Sequence, residues 1–353
     1  MTETEAPKRP QKRHHIGVFV PTAVVAVLIV LWTVWWFVAA HRVETAFHAQ
    51  ADALTRQGYR VSTAPYSVKG YPYRLAVELR DVTIVAPTGR GFTAPDLDIE
   101  ANAYNPDKWV MVATKGLTLY RGHDKTGADL GTLSLTGKVL RASVSHLGQA
   151  VPDIRLQGME VMAAPSDPAH PFVFDTATLA EAYLRPSAKD ADSADFLVRW
   201  TGARGRAPGL VGKVSPDAPL DLHVEGTINR VAAFKGVTFA NGLTAWKTGG
   251  VASNLIVELK RPDTVLHLSS NALSADADNH VQGKVKVELT GAAGPIAMLS
   301  SAGILSGDMA GEAEPLLDLA MGASNGPAKL TIDFKKGKAY IGPIKVANAP
   351  TLP

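Results

Sequence analysis

The chain has 353 residues, a formal net charge of +3 and no cysteine. Missing thiols exclude a disulfide framework, a thiolate nucleophile and a cysteine-metal centre. Lys8, Arg9, Lys12 and Arg13 outnumber Glu3 and Glu5 in the N-terminal tail, so the rest is close to neutral, which argues against a surface that tracks nucleic-acid phosphates.

Residues 1–15 read as a basic cytoplasmic tail. Residues 16–40 follow as an uncharged apolar run of about 25 residues, and about 20 suffice to cross a bilayer core. Trp32, Trp35 and Trp36 near its far end suit a membrane interface. Pro21 falls in the first turns, where a missing N–H costs little. Beyond the run, Arg42 and Glu44 cancel, so the positive-inside rule keeps the tail in the cytoplasm and sends the body across. The run is expected to be an uncleaved signal anchor: single-pass, in the inner membrane, with the body in the periplasm. A cleaved signal peptide is the competing reading. Val38-Ala39-Ala40 meets its small-residue rule, but its apolar region is normally 7–15 residues.

Residues 41–58 predict a membrane-proximal helix. Val43, Ala46, Phe47, Ala51 and Leu54 recur at helical spacing, and Gly58 is a natural stop. This helix is expected to continue the span and carry the body off the membrane. From Tyr59 the period becomes two. Leu75, Val77 and Leu79 alternate with Glu78 and Arg80, and Leu97 and Ile99 with Asp98 and Glu100. Val82 and Ile84 continue on even numbers, which predicts a β-bulge near Asp81. The same alternation marks Leu220–Ile228, Val285–Leu289 and Leu330–Phe334. The fold class is mainly β (α+β): an elongated, twisted antiparallel sheet with one apolar and one wet face. Residues 59–185 form an N-terminal β half and residues 220–353 a C-terminal β half with short helices. A Pro-, Gly- and charge-rich, linker-like segment at 186–219 divides them. Short helices are expected at Ala177–Leu184, after Gly294-Pro295, and at Ala310–Met321.

No catalytic, metal-binding or cofactor-binding residue emerges. Gly322-Ala323-Ser324-Asn325-Gly326 fits a nucleophile-elbow spacing, yet Pro327 and a strand follow, so it reads as a turn. The histidines are scattered, with His223 and His267 at polar strand positions. Asp276-Ala277-Asp278-Asn279 lacks the remaining ligands of a calcium loop and reads as a solvated turn. Arg204-Gly205-Arg206 lacks the ending of a phosphate loop.

The most distinctive body segment is Val68-Lys69-Gly70-Tyr71-Pro72-Tyr73-Arg74. Gly70 permits unusual dihedrals, Pro72 holds Tyr71 extended, and two aromatics flank the proline where a long strand begins. Its Gly70 to Arg74 portion resembles the signature of an alphaproteobacterial envelope family, the domain of unknown function 2125. Trp246-Lys247-Thr248-Gly249-Gly250 and Gly342-Pro343-Ile344 resemble that family's later segments. More loosely, the architecture is similar to membrane-anchored AsmA-like envelope proteins. The resemblance implies an envelope location and a β body, and no established reaction. The expected function is non-enzymatic: the body holds an apolar ligand such as lipid, or scaffolds envelope assembly. The expected groove is the face bearing Leu75, Val77, Leu79, Leu97 and Ile99. The expected partners are the inner membrane, a lipid or another envelope protein, with no nucleic acid and no cofactor. The rival is a periplasmic hydrolase whose acidic residues meet only in space.

Overall fold

The computed structural model describes residues 16–124, 126–149, 151–237, 239–291 and 328–352. The basic tail, both helices expected within residues 294–321 and the Gly322–Gly326 turn lie outside these residues.

One helix, α1, runs unbroken over Ile16–Arg56. Its 41 residues amount to about 60 Å at about 1.5 Å per residue. Gly58, at φ +83°, closes it, with the Tyr59 N–H donating back to the Leu54 carbonyl at 3.0 Å. Apolar side chains on the lower turns, from Phe19 to Leu31, are exposed. Higher up, Trp36 and Ala40 are buried and Val43 and Phe47 pack on the sheet. The expected stalk is therefore part of the body's core, because those side chains supply the apolar stripe that covers the first strands.

The described residues form one antiparallel sheet of eighteen strands. The first four are β1 (Arg60–Ser62), β2 (Val68–Lys69), β3 (Arg74–Val85) and β4 (Arg90–Asn102). Next come β5 (Asn105–Val112), β6 (Leu117–Arg121), β7 (Thr132–Thr136), β8 (Val139–Ser145) and β9 (Asp153–Pro165). The sheet continues with β10 (Thr176–Pro186), β11 (Ser193–Ala203), β12 (Leu220–Asn229), β13 (Val251–Arg261), β14 (Thr264–Ala275) and β15 (Val281–Gly291). It ends with β16 (Ala328–Lys335), β17 (Lys338–Ile341) and β18 (Ile344–Asn348). From β9 onward each strand pairs with the next in sequence. Between the long strands β4 and β9 the sheet forks. One ribbon is β5 with β8 and the other is β6 with β7; both connect β4 to β9.

A crease crosses the sheet at the fork. Asp81 (φ +51°) stands opposite Pro95, Glu160 (φ +50°) opposite Thr178, and Thr178 opposite Gly202 (φ +60°). The phase change near Asp81 is real, but it is not a bulge. The β3–β4 register is the same on both sides, and a single left-handed residue faces a proline that has no N–H to donate.

Ala177–Leu184 is the middle of β10 rather than a helix. Pairing with β9 on one side and β11 on the other overrides the helical preference of its Ala, Leu and Glu residues. The segment 186–219 supplies β11 and a five-residue helix, α2 (Leu210–Val214). A third helix, α3 (Phe239–Lys247), leads into β13.

Cross-strand register turns the period-two pattern into rows. An apolar row runs Leu140, Gly158, Ala180, Trp200, Leu222, Leu259, Leu266, Leu289, Ala328 from β8 to β16. One residue away along each strand, a polar row runs Arg141, Gln157, Glu181, Arg199, His223, Glu258, His267, Glu288, Lys329. Neighbouring residues on a strand point to opposite faces, so the first row builds the core and the second the wet face. Leu133, Leu220 and Ile332 are fully buried in that core, where truncation to Ala typically costs about 2–5 kcal/mol.

Glu181 is the most enclosed member of the polar row. It accepts bonds from Arg199 Nε at 2.8 Å, Tyr183 Oη at 2.7 Å and Gln157 Nε2 at 3.0 Å. Burial pushes its pKa up, but the bonds from Tyr183, Arg199 and Gln157 and the Arg199 charge outweigh this and hold it below the ordinary glutamate range. A depressed pKa gives stability that is present above the ordinary glutamate pKa and is lost as pH falls through the folded value. Glu181→Gln should therefore lower stability by about 1–2 kcal/mol at neutral pH. The deficit should shrink as pH falls through and below about 4.3. Urea midpoints of both proteins across that range check this; a deficit that does not change with pH would refute it.

Candidate functional site

Two features stand out, and α1 touches the first. Gly70 (φ +101°) starts a tight turn in which the Tyr73 and Arg74 N–H groups both donate to the Gly70 carbonyl, at 3.2 and 2.9 Å. That turn presents its carbonyls to the helix. Trp32 Nε1 donates to Pro72 O at 3.1 Å and Trp36 Nε1 to Arg74 O at 2.9 Å. Thr33 Oγ1 and Tyr71 Oη lie 2.7 Å apart. The Tyr71 ring meets Trp36 edge-on and stacks on Phe37. An indole is apolar apart from one N–H that must be satisfied when buried, so these partners make Gly70–Arg74 a socket for the helix. Arg74 pairs outward with Glu100 at 3.0 Å.

The second feature is an apolar cavity of about 460 Å³ at the fork. Its walls include Phe92, Leu97, Met111 and Leu117 from β4 to β6, and Leu135, Leu140 and Leu156 from β7 to β9. Phe174 and Trp200, 5.5 Å apart edge-to-face, close the far side. The cavity opens to solvent, and Leu156 on its wall is 50% exposed. Where the two ribbons part, buried Asp96 binds Lys115 at 2.7 Å and Arg80 at 3.2 Å. The Lys115 bond is the main cause that holds the Asp96 pKa below the carboxylate range.

Of the five residues expected to line a groove, only Leu97 lines this cavity. Leu75 is packed with Trp36, Ala40 and Ala103. Val77, Leu79 and Ile99 lie in a cluster covered by Val43 and Phe47 of α1. The cavity is displaced along the sheet because α1 occupies the first part of the apolar face. Nothing in the sequence joins Leu140, Phe174 and Trp200, since only the fold brings them together.

The other motif residues close local structure. Trp246 Nε1 donates to Asn229 O at 2.7 Å, and the Gly250 N–H returns to Trp246 O at 2.7 Å. A Cβ at Gly250 would lie 2.4 Å from the Trp246 ring, so this glycine lets α3 turn back onto β12. Gly249 (φ +88°) sits in the same turn. Gly342 (φ +58°) and Pro343 form the two-residue turn between paired Ile341 and Ile344.

On the wet face, a polar hollow of about 560 Å³ has mixed charge, with Arg155–Asp153 and Arg185–Asp195 pairs on its walls. Asp276, Asp278 and His280 hold oxygen and nitrogen atoms within 4.8 Å of one another in the β14–β15 turn, the one such grouping among the described residues. Asp276 Oδ1 already accepts the N–H groups of Asp278 and His280, at 3.0 and 2.8 Å.

A family model described as an uncharacterized protein conserved in bacteria (DUF2125) matches residues 36–350. The chain belongs to the DUF2125 family. Comparisons with curated proteins and with solved structures returned no match. The DUF2125 match opens at Trp36, the residue whose indole bonds the socket, and spans both the socket and the cavity.

The socket predicts a difference between two glycines. A Cβ at Gly70 would lie 2.8 Å from the Arg74 carbonyl oxygen, part of the socket backbone. At Gly89 (φ +75°) it would meet the movable His123 ring at 3.3 Å. Both pay the positive-φ penalty, but only Gly70→Val must also displace backbone. Gly70→Val should lower the melting temperature by several degrees more than Gly89→Val, for a further cost of about 1–2 kcal/mol. Equal melting temperatures would refute the socket.

Proposed function

We propose that this DUF2125 protein is a non-enzymatic, membrane-anchored envelope protein whose body holds the acyl part of a lipid in the fork cavity. The reading rests on one observation: an open apolar cavity continues a packed apolar face that starts at the anchor helix. Trp36 and Leu75 share a cluster with Val43, Val68 and Trp109; those three also pack against Val77 and Leu79. The second cluster reaches Phe92, Leu97, Met111 and Leu117, which are cavity walls. A cavity of this size with almost wholly apolar walls suits an apolar ligand. Nothing in it offers the pair of polarised carboxylates that the hydrolase reading needs. Among the described residues the shifted carboxylates are Asp96, Asp124, Asp167, Glu181, Asp190 and Asp276, and all are lowered. A general acid at neutral pH needs the opposite shift.

The candidate span supports an anchor more than a cleaved signal. Cutting after Ala40 would remove Trp32, Trp36 and Ala40 from their contacts with the socket and with Leu75. The basic tail, by the positive-inside rule, supports a reading with the N-terminus in the cytoplasm and the body in the periplasm.

The full-length protein, released in mild detergent and analysed by native mass spectrometry, should carry lipid. Leu97→Asp and Leu156→Asp should keep the wild-type circular dichroism and lose at least tenfold of the bound lipid. Leu79→Asp should unfold the body, because it buries an unpaired carboxylate in the closed cluster. Wild-type protein without lipid, or cavity variants with full lipid content, would sink the reading. Separately, a reporter fused after Pro353 should be active only in the periplasm; cytoplasmic activity would overturn the topology.

A further inference from the structure

The height at which the socket grips α1 carries a second inference, which rests on the membrane-anchor reading above. About 20 residues from Ile16, roughly 30 Å of helix, bring the span to Trp35. The socket grips the helix at Trp32, Thr33 and Trp36, the same level. Thr33 lies roughly 14 Å below Arg42, the first charged residue after the run. The body therefore reaches down beside the last turns of the apolar run and buries Trp36 and Ala40 there.

What it presents at that level is aromatic. Tyr71 is 47% exposed and Tyr73 71%. Tyr104 is 68% exposed, in the neighbouring β4–β5 turn. The two turns are held together by the Ala103 N–H donating to Tyr73 O at 2.8 Å and by pairing of Arg74 with Asn102. On the helix, Trp32, which bonds the socket, stacks on Trp35 at 4.9 Å. Tyrosine and tryptophan concentrate at the headgroup level, where the ring is shielded and the polar tip stays wet.

We infer that the corner bearing Tyr71, Tyr73 and Tyr104 is seated in the headgroup layer of the bilayer, so the body binds the lipid surface directly. Three tyrosines from the body and two tryptophans from the helix form one belt around the point where the helix leaves the membrane. The body then stands on the bilayer in a fixed attitude, with β3 and β4 rising from it.

The absence of cysteine makes the test direct. Tyr73→Cys, Tyr104→Cys, Val27→Cys and Thr88→Cys are made singly in the full chain, spin-labelled and reconstituted into phosphatidylethanolamine–phosphatidylglycerol vesicles. Val27 lies in the span and Thr88 in the turn at the opposite end of the β3–β4 hairpin. Collision with oxygen, which favours lipid, is compared with collision with a water-soluble nickel chelate. Labels at Tyr73 and Tyr104 should show an oxygen-to-nickel ratio several-fold above that at Thr88 and below that at Val27. Ratios equal to that of Thr88, with Val27 in lipid, would overturn the inference and leave the anchor intact. Low collision with both reagents would indicate burial against protein and would overturn it too. A Val27 label in water would remove the anchor reading and this inference together.

Discussion

The hydrogen bond from the Trp36 indole to the Arg74 carbonyl joins two stretches of one helix that differ in what surrounds them. From Phe19 to Leu31 the helix is apolar all round and exposed, which makes it a candidate membrane span. Above it the same helix carries a stripe, Ala40, Val43 and Phe47, that covers a sheet. The change from one regime to the other occurs within about two turns, and the Gly70–Arg74 turn marks the place. Because β3 begins at the socket, the position of the helix sets where the long β3–β4 hairpin starts and which part of its apolar face is covered.

The sheet beyond the hairpin meets a different constraint. An antiparallel sheet with one apolar face must cover it, by curling on itself or by borrowing another element. Here both occur. Helix α1 covers the β3–β4 end, and the strands from β9 to β18 gather around one large cluster containing Phe174, Leu220, Val287 and Ile332. Between these two solutions lies the fork, with Asp81, Glu160 and Gly202 in left-handed conformations along the crease. The cavity lies where neither covering reaches.

Much of the fold was legible because period two is a local signal. Leu220, Leu222 and Val224 against Asp221, His223 and Glu225 assign two faces without knowledge of any partner strand. His223 and His267 sit in the polar row, where their alternation puts them. The length of α1 was legible from its apolar run and from Gly58, and the Gly70–Arg74 turn from its unusual composition. Ala177–Leu184 misled because Ala, Leu and Glu favour helix, and pairing on both sides decided otherwise. The cavity walls were hidden for a related reason. Leu97, Leu140 and Trp200 belong to strands that meet only through the fork, and a single sequence does not reveal that β4 pairs with both β5 and β6. The groove was expected on Leu75, Val77 and Leu79 because their alternation is the clearest, and that same apolar face is the one the helix covers.

The pairing order also has a kinetic side. From β9 to β15 each strand finds its partner in the strand that follows it, so every ladder closes a modest loop. Local pairings are reached quickly, whereas contacts that close long loops come late and slowly. The fork needs both ribbons to meet β9, and the socket joins Trp36 to Arg74 across 38 residues. The meander can grow hairpin by hairpin, whereas the fork and the socket each need parts of the chain that are not neighbours in sequence.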